Sequence, residues 1–208
     1  SGLGGSPAMN VLILGGGTVG QAALSVLYAL GARVTVMDIN IGLLRTLKRQ
    51  YQERVDTLLC TKENIAALLP QTDILIKAAA VADYRPAVVA DQKMKKGEGD
   101  MSIPLERTGD VLGWVAQNRH PGLFVCGFSM ETEHMLENSQ KKRTKKKLDM
   151  IVANNLKTQG AGFGVETNVV TLITQDWVEE LPLLGKDEVA GKLLTAIAAQ
   201  RQTAAAEE

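Results

Sequence analysis

Asn10-Val11-Leu12-Ile13-Leu14-Gly15-Gly16-Gly17-Thr18-Val19-Gly20 is the stretch on which the fold turns. Asn10 and the four apolar residues after it predict a strand buried on both faces of a parallel sheet. The glycine run then predicts a tight turn, and the apolar spacing after it predicts a helix to about Leu30. This is GxGxxG in the setting its physics requires, strand then turn then helix. Gly15 permits the turn, Gly17 permits close approach of a pyrophosphate, and Gly20 permits close helix–strand packing. Thr18 and Val19 open the helix, where unpaired backbone N–H groups favour an anion. A second strand, Arg33 to Met37, ends on Asp38, in the region where an acid holds the two ribose hydroxyls of NAD and repels the extra phosphate of NADP. Gly15, Gly17, Thr18, Val19, Gly20 and Asp38 are therefore candidate NAD-binding residues. A plainer reading stands beside it, in which the glycines only make a βα turn and Asp38 caps the next helix.

Outward from that motif the chain alternates strand and helix. A third strand is expected at Val55–Leu59 and a helix at Lys62–Leu69, with Thr61 as N-cap and Pro70 as its stop. Ile74-Leu75-Ile76 is a buried strand across the switch point from the first. It runs into Ala78, Ala79, Ala80 and Ala82, whose small side chains let another molecule approach the backbone. Asp83 follows at the strand's end, where an open α/β sheet places its ligand crevice. Lys93, Lys95 and Lys96 come next, in a polar segment that reads either as a loop closing over phosphates or as a solvated cluster. Further elements are a helix at Val111–Gln117 capped by Asp110, a strand at Leu123–Phe128, a helix at Glu131–Lys147, and a strand at Asp149–Asn154. A strand pair, Val169–Thr174 with Trp177–Leu181, and a helix at Lys186–Gln200 close the chain. The fold class is α/β: a doubly wound Rossmann-like parallel sheet of order 3-2-1-4-5-6, with a C-terminal strand pair and helix. The chain reads as one α/β domain over 1–208, with tails at 1–9 and 204–208.

Composition limits the partners. Of 208 residues, 45% are hydrophobic, which supports a sizeable core. Lys+Arg and Asp+Glu both total 23, so no overall positive field exists to bind nucleic acid non-specifically. No apolar run approaches the roughly 18 residues of a membrane span. SGLGGSPAMN lacks the pattern of a signal peptide and reads as an expression remnant or an interdomain linker. Cys60 and Cys126 show neither disulfide nor metal spacing, which points to a reduced cytoplasmic protein. His120 and His134 are too separated to suggest zinc.

Two resemblances add to this. AAAVADYRP (78–86) followed by KMKK (93–96) resembles the signature of bacterial phosphopantothenoylcysteine synthetases, the CTP-dependent ligases of coenzyme A synthesis. The likeness continues through VCGFSMETE, KKKLDMIVANN and GAGFGVETNVVTLI. It implies that Lys93 contacts the nucleotide phosphates and the activated carboxyl, that Phe128 lies against cytosine, and that Lys142 and Lys146 reach the triphosphate. It also carries over Ala78, Ala79, Asp83 and Asp110 as site residues, with magnesium bridging the CTP phosphates. Thr108 and Gly109 depart from the family's asparagine and proline. GGGTVGQAALSVLYALGARVTVMDIN (15–40) resembles instead the NAD-binding segment of alanine dehydrogenase, without that family's catalytic domain. The chain thus reads as two families joined near 72–80: a dinucleotide-binding half (1–72) and a ligase-like half (73–203). The ligase family's Asn…Ser-Ser-Gly segment has no counterpart in the first half. The expected function is a nucleotide-binding protein resembling phosphopantothenate–cysteine ligase, of recombined or engineered origin and little activity. The alternatives are a non-catalytic NAD-binding module or a purely structural chimera. A homodimer is expected.

Overall fold

The computed structural model describes residues 8–89, 91–92, 101–131, 133–155 and 167–206. In chain order the first elements are β1 (Asn10–Leu14), α1 (Thr18–Ala29), β2 (Arg33–Asp38), α2 (Ile41–Tyr51), β3 (Val55–Leu59), α3 (Lys62–Leu68) and β4 (Ile74–Lys77). There follow β5 (Tyr84–Pro86), β6 (Leu105–Arg107), α4 (Val111–Asn118), β7 (Phe124–Glu131), α5 (Met135–Lys145) and β8 (Met150–Asn155). The chain closes with β9 (Thr167–Asn168), β10 (Val170–Ile173), β11 (Val178–Glu180), β12 (Leu184–Gly185) and α6 (Lys186–Ala206).

The main sheet has the order β11-β10-β8-β7-β4-β1-β2-β3. Its six parallel strands are the expected 3-2-1-4-5-6, and β10 and β11 add antiparallel to the β8 edge. The apolar runs are continuous because both faces are covered. Ile13, Ile76 and Cys126 are buried in one core layer with Leu24, Leu27, Leu193 and Ile197 of α1 and α6. Leu12, Leu75 and Val125 are buried in the other, with Ile65 of α3 and Leu112 and Val115 of α4. Each such aliphatic side chain contributes roughly 1.5–3 kcal/mol by leaving water. Cys126 is a core residue, as its apolar setting predicts, and burial pushes its thiol pKa up.

The expected caps form. The Thr61 hydroxyl accepts the Asn64 N–H at 3.2 Å, and the Asp110 carboxylate accepts the Gly113 N–H at 2.9 Å. Three boundaries differ. β7 runs on to Glu131, because it keeps pairing with β8 as far as Glu131↔Asn155. Glu131 and Glu133 therefore precede α5, leaving Glu137 as the acid of its first turn. α6 continues through Ala206, so residues 204–206, read as tail, are helical. β5 and β6 leave the sheet as a separate exposed hairpin, the arm, braced by an Arg85–Glu106 ion pair at 2.7 Å. Among the described residues no helix is long and apolar enough to cross a membrane.

Candidate nucleotide-binding site

The glycine turn sits at the C-terminal edge of β1, and each glycine there has a separate steric cause. Gly15 has φ +103°, and a Cβ on it would lie 2.5 Å from the Ala79 nitrogen. The close approach at this position is thus intramolecular. The Ala78 and Ala79 N–H groups both donate to the Leu14 carbonyl, at 2.9 and 2.8 Å, which lays the segment after β4 across the turn. A Cβ on Gly20 would meet the Gly15 carbonyl oxygen at 1.9 Å, so α1 packs on the turn only because this side chain is absent. Gly17 is exposed and its Cβ position faces open space. Thr18 is exposed and Val19 half-buried at the start of α1. A cavity of about 620 Å³ opens beside them, lined also by Gln21 and by residues 185–188 at the start of α6.

Asp38 holds backbone N–H groups on both sides of it and does not cap the next helix. Its Oδ2 accepts the Gly16 N–H and its Oδ1 the Asn40 N–H, each at 2.8 Å. Asn40, not Asp38, caps α2, by accepting the Leu43 N–H at 3.1 Å. The carboxylate therefore ties β2 to the glycine turn. A ribose would have to share oxygens that already hold two backbone donors.

The second half supplies the other wall. β4 ends at Lys77, opposite Gly127, whereas β7 and β8 run on together beyond that level and form a shelf. A Cβ on Gly127 would press on Leu148 at 2.8 Å. Lys142 on α5 donates to the Phe128 carbonyl at 3.4 Å. Lys146, just past α5, is ion-paired with Asp110 at the start of α4. Desolvation raises the Asp110 pKa, but the Lys146 ammonium and the Gly113 N–H outweigh it and hold the carboxyl below its ordinary value. Asp83 lies exposed at the root of the arm, where its carbonyl accepts the Thr108 N–H at 3.0 Å. The Thr108 hydroxyl donates to the Ala82 carbonyl at 2.5 Å, so the threonine that departs from the ligase pattern closes the base of the arm.

Asp110, Lys142 and Lys146 thus come together over the second core layer, and Asp83 is near enough for its charge to act on Lys77. Phe128 does not join them through its ring. It is half-buried against the first core layer, with Phe124 and Cys126, and its carbonyl accepts from Lys142. Lys93 lies outside the described residues. Two polar groups were missed by the sequence reading. Lys77 ends an apolar strand and reads there only as the strand's polar terminus. Asn154 of β8 keeps its side-chain oxygen buried with no partner among the described residues.

No cluster of three or more His, Cys, Asp or Glu side chains able to hold a metal is present among the described residues. A second cavity, about 490 Å³, lies at the opposite edge of the sheet, lined by Asn10, Arg33, Arg54 and Asp56. Ligands of open α/β sheets bind beyond the carboxyl ends of the strands, so the site is assigned to the lysine and glycine edge.

A doubly wound, mostly parallel sheet with a glycine turn after its first strand and helices on both faces defines a Rossmann-like α/β domain. The chain belongs to the DNA/pantothenate metabolism flavoprotein C-terminal domain family, whose model matches residues 14–200. That range crosses residues 72–80, so most of the half set apart as dinucleotide-binding lies inside the same family. The Bacillus subtilis coenzyme A biosynthesis bifunctional protein CoaBC is 37% identical over 184 residues, covering 88% of this chain and 45% of that protein. A cysteine/cysteine sulfinic acid decarboxylase from an unknown prokaryotic organism is 36% identical, covering 87% of this chain and 51% of that protein. The chain therefore spans about half the length of these curated relatives. Among solved structures, the C-terminal domain of a CoaBC protein superposes with TM-score 0.71 at 30% identity, covering 95% of this chain and 100% of that one. A Cab2 mutant in complex with phosphopantothenate-cysteine shares the fold, with TM-score 0.69 at 13% identity, covering 96% of this chain and 88% of that one.

Proposed function

We propose that the chain is a nucleotide-binding domain of the phosphopantothenate–cysteine ligase type, acting on CTP. The observation that carries this reading is the grouping of Asp110, Lys142 and Lys146 beside the β7–β8 shelf, in a chain whose relatives include proteins of coenzyme A biosynthesis. In the reaction, the phosphopantothenate carboxylate attacks the α-phosphate of CTP and pyrophosphate leaves. The cysteine amine then displaces CMP from the acyl-cytidylate. The protein's part is positioning and neutralisation of charge by its lysines. Magnesium, when bound with the nucleotide, would supply further neutralisation of charge.

The first half lacks the family's Asn…Ser-Ser-Gly segment. Losing one preorganised polar group typically costs 10²–10³ in rate, so the ligation rate is expected to be small and CTP binding weak. The test is pyrophosphate release from CTP, phosphopantothenate and cysteine, alongside thermal-shift titration. A nucleotide at 100 times its Kd adds about 2.7 kcal/mol of stability. A CTP shift that survives Lys142→Ala with Lys146→Ala would overturn the reading.

A second reading, NAD held by the first half, is favoured by the open space at Gly17 and by Asp38 beside the turn. It predicts preference for NAD over NADP, and calorimetry with both decides it. A recombined or engineered origin is not needed for either reading, because the family match crosses the proposed junction. A reduced cytoplasmic setting and a homodimer belong to the same proposal. The β10–β11 edge is poor support for a dimer, since β11 is three residues long and carries Glu179 and Glu180. The arm supports it better, through exposed Val88, Val89, Ile103 and Leu105. Light scattering that gives a monomer mass across a wide concentration range would exclude it.

A further inference from the structure

Lys77 is out of place on general grounds. It ends a strand whose three preceding residues are buried, and its own side chain is only partly exposed. Its Nζ donates to the Ala79 carbonyl at 2.7 Å, in the segment that crosses the glycine turn. No second acceptor for Nζ is found among the described residues, so two of its three donors are available. The neighbouring strand position is Gly127, which has no side chain to cover it, and the next carbonyl along β7, that of Phe128, receives Lys142. Two ammonium groups are thus anchored to carbonyls, one just past the end of β4 and one within the part of β7 that runs on beyond it, at the mouth of the crevice. Like charges held together in a half-desolvated place disfavour each other unless an anion comes between them. Burial lowers the Lys77 pKa most, Lys142 lowers it further, and Asp110, Asp83 and the Cys60 position offset this only in part. The Cys60 thiol is itself pushed up by burial and by Asp38, so it stays neutral near pH 7.

We infer that Lys77 is an anion-binding residue of the crevice, which together with Lys142 takes a phosphate group of the bound nucleotide. The inference rests on the nucleotide reading for its ligand but not for its chemistry, which needs only a polyphosphate. Binding a phosphate raises the depressed pKa of Lys77, so binding takes up a proton where the free protein has begun to lose it. Affinity is full below the free-protein pKa and falls as pH rises through it.

The experiment is calorimetric titration of inorganic tripolyphosphate, and separately of CTP, at neutral and alkaline pH in buffers of different ionisation enthalpy. The proteins are the unaltered chain, Lys77→Met and Lys77→Arg, each checked for folding by circular dichroism and thermal melting. The unaltered chain should bind tripolyphosphate with proton uptake at alkaline pH. Lys77→Met should bind roughly tenfold more weakly and lose the uptake. Lys77→Arg, which keeps its charge at every accessible pH, should retain most of the affinity and also lose the uptake. Should Lys77→Met fail to fold, the arginine variant alone carries the test through the proton count. Unchanged affinity and unchanged uptake in a folded Lys77→Met protein overturn the inference, as does an unaltered chain that ignores tripolyphosphate. Lys77-dependent binding of tripolyphosphate without binding of CTP sustains it while sinking the nucleotide reading. Binding of CTP that is indifferent to Lys77 does the reverse.

Discussion

The two edges of the parallel sheet both carry charged side chains and put them to opposite use. At the amino-terminal edge, acids and arginines are spent on the backbone. The Asp73 carboxylate accepts the Asn10 N–H at 2.8 Å, and Arg201 reaches the Asp73 carbonyl at 2.5 Å and the Gly122 carbonyl at 3.1 Å. The Asp149 carboxylate accepts the Val125 N–H at 2.7 Å and Arg119 at 2.8 Å, and Arg119 donates also to the Lys147 and Leu123 carbonyls. These groups close strand ends and loops. At the carboxyl edge the charges are mostly lysines, each with few partners, around a turn whose Gly17 faces open space. An arginine's planar fork can saturate several carbonyls at once, whereas a lysine keeps donors for a ligand. One edge is wired for stability, and the other retains binding capacity.

The largest effect is expected where this contrast breaks down, inside the glycine turn. Gly20 belongs to the open edge by position but is as tightly fixed as anything in the core. Gly20→Val puts atoms where the Gly15 carbonyl oxygen stands, 1.9 Å from an added Cβ. Urea unfolding should show a loss of roughly 3 kcal/mol or more, as overpacking against rigid backbone gives. Gly17→Ala, three residues earlier, should change stability by no more than about 0.5 kcal/mol. A Gly20→Val protein of ordinary stability would mean that α1 sits off the turn.

Next in size is the wired edge itself. Arg119→Ala leaves the Asp149 carboxylate, whose side chain is 33% exposed, with only the Val125 N–H, and removes the guanidinium from two carbonyls. Hydrogen bonds to charged groups are worth about 1.5–3 kcal/mol net, and partial exposure keeps the expected loss near 2 kcal/mol. Nucleotide affinity of the folded protein should not move. A drop in affinity without a drop in stability would erase the division between the edges.

These predictions also mark what the sequence could and could not reveal. Apolar runs over 10–14, 74–76 and 123–128 show both buried faces, because a strand covered on each side needs no alternation. Thr61 and Asp110 are legible as caps, since a cap is a local bond. The end of β7 is not legible: Ser129, Met130 and Glu131 stay in the strand only because β8 lies beside them. The face of Phe128 follows from that pairing rather than from its neighbours in sequence. Asp38 shows the limit for a site. Its position at a strand end is visible in the chain, but its bond to the Gly16 N–H joins residues 22 apart in sequence and needs the folded turn. Lys77 is the hardest case, because its meaning depends on Gly127 and Lys142 from two later elements.

At the open edge, the paired substitution Lys142→Ala with Lys146→Ala sharpens the contrast from the other side. Stability should change by about 0.5 kcal/mol or less, as exposed pairs allow. CTP affinity should fall roughly tenfold or more, the scale of one charge-assisted contact. Parallel thermal-shift and calorimetric titrations separate the two readouts, and a large loss of stability with no change in affinity would reverse the assignment of the edges.

The smallest effect belongs to Asp110, where the two uses of charge meet. Its carboxylate caps α4 through the Gly113 N–H and also pairs with Lys146. Desolvation opposes the charged form, yet the ammonium and the N–H leave the folded-state pKa below the ordinary carboxylate value. A carboxyl with a depressed folded-state pKa contributes its stability above the unfolded-state pKa and loses it as pH falls through the folded-state pKa. The side chain is 54% exposed, so solvent screens most of this, and the contribution should be only a few tenths of a kcal/mol. Asp110→Asn retains an oxygen for the Gly113 N–H and removes the charge. It should therefore match the unaltered chain in acid and fall slightly below it near neutrality, which melting curves at pH 3 and pH 7 can compare. Asp110→Ala should lose more at neutral pH, by about 1 kcal/mol, because the cap goes as well. Asn and Ala variants that melt together would show that the ion pair with Lys146, rather than the cap, is what this carboxylate contributes, and would move Asp110 from the wired edge's economy to that of the open one.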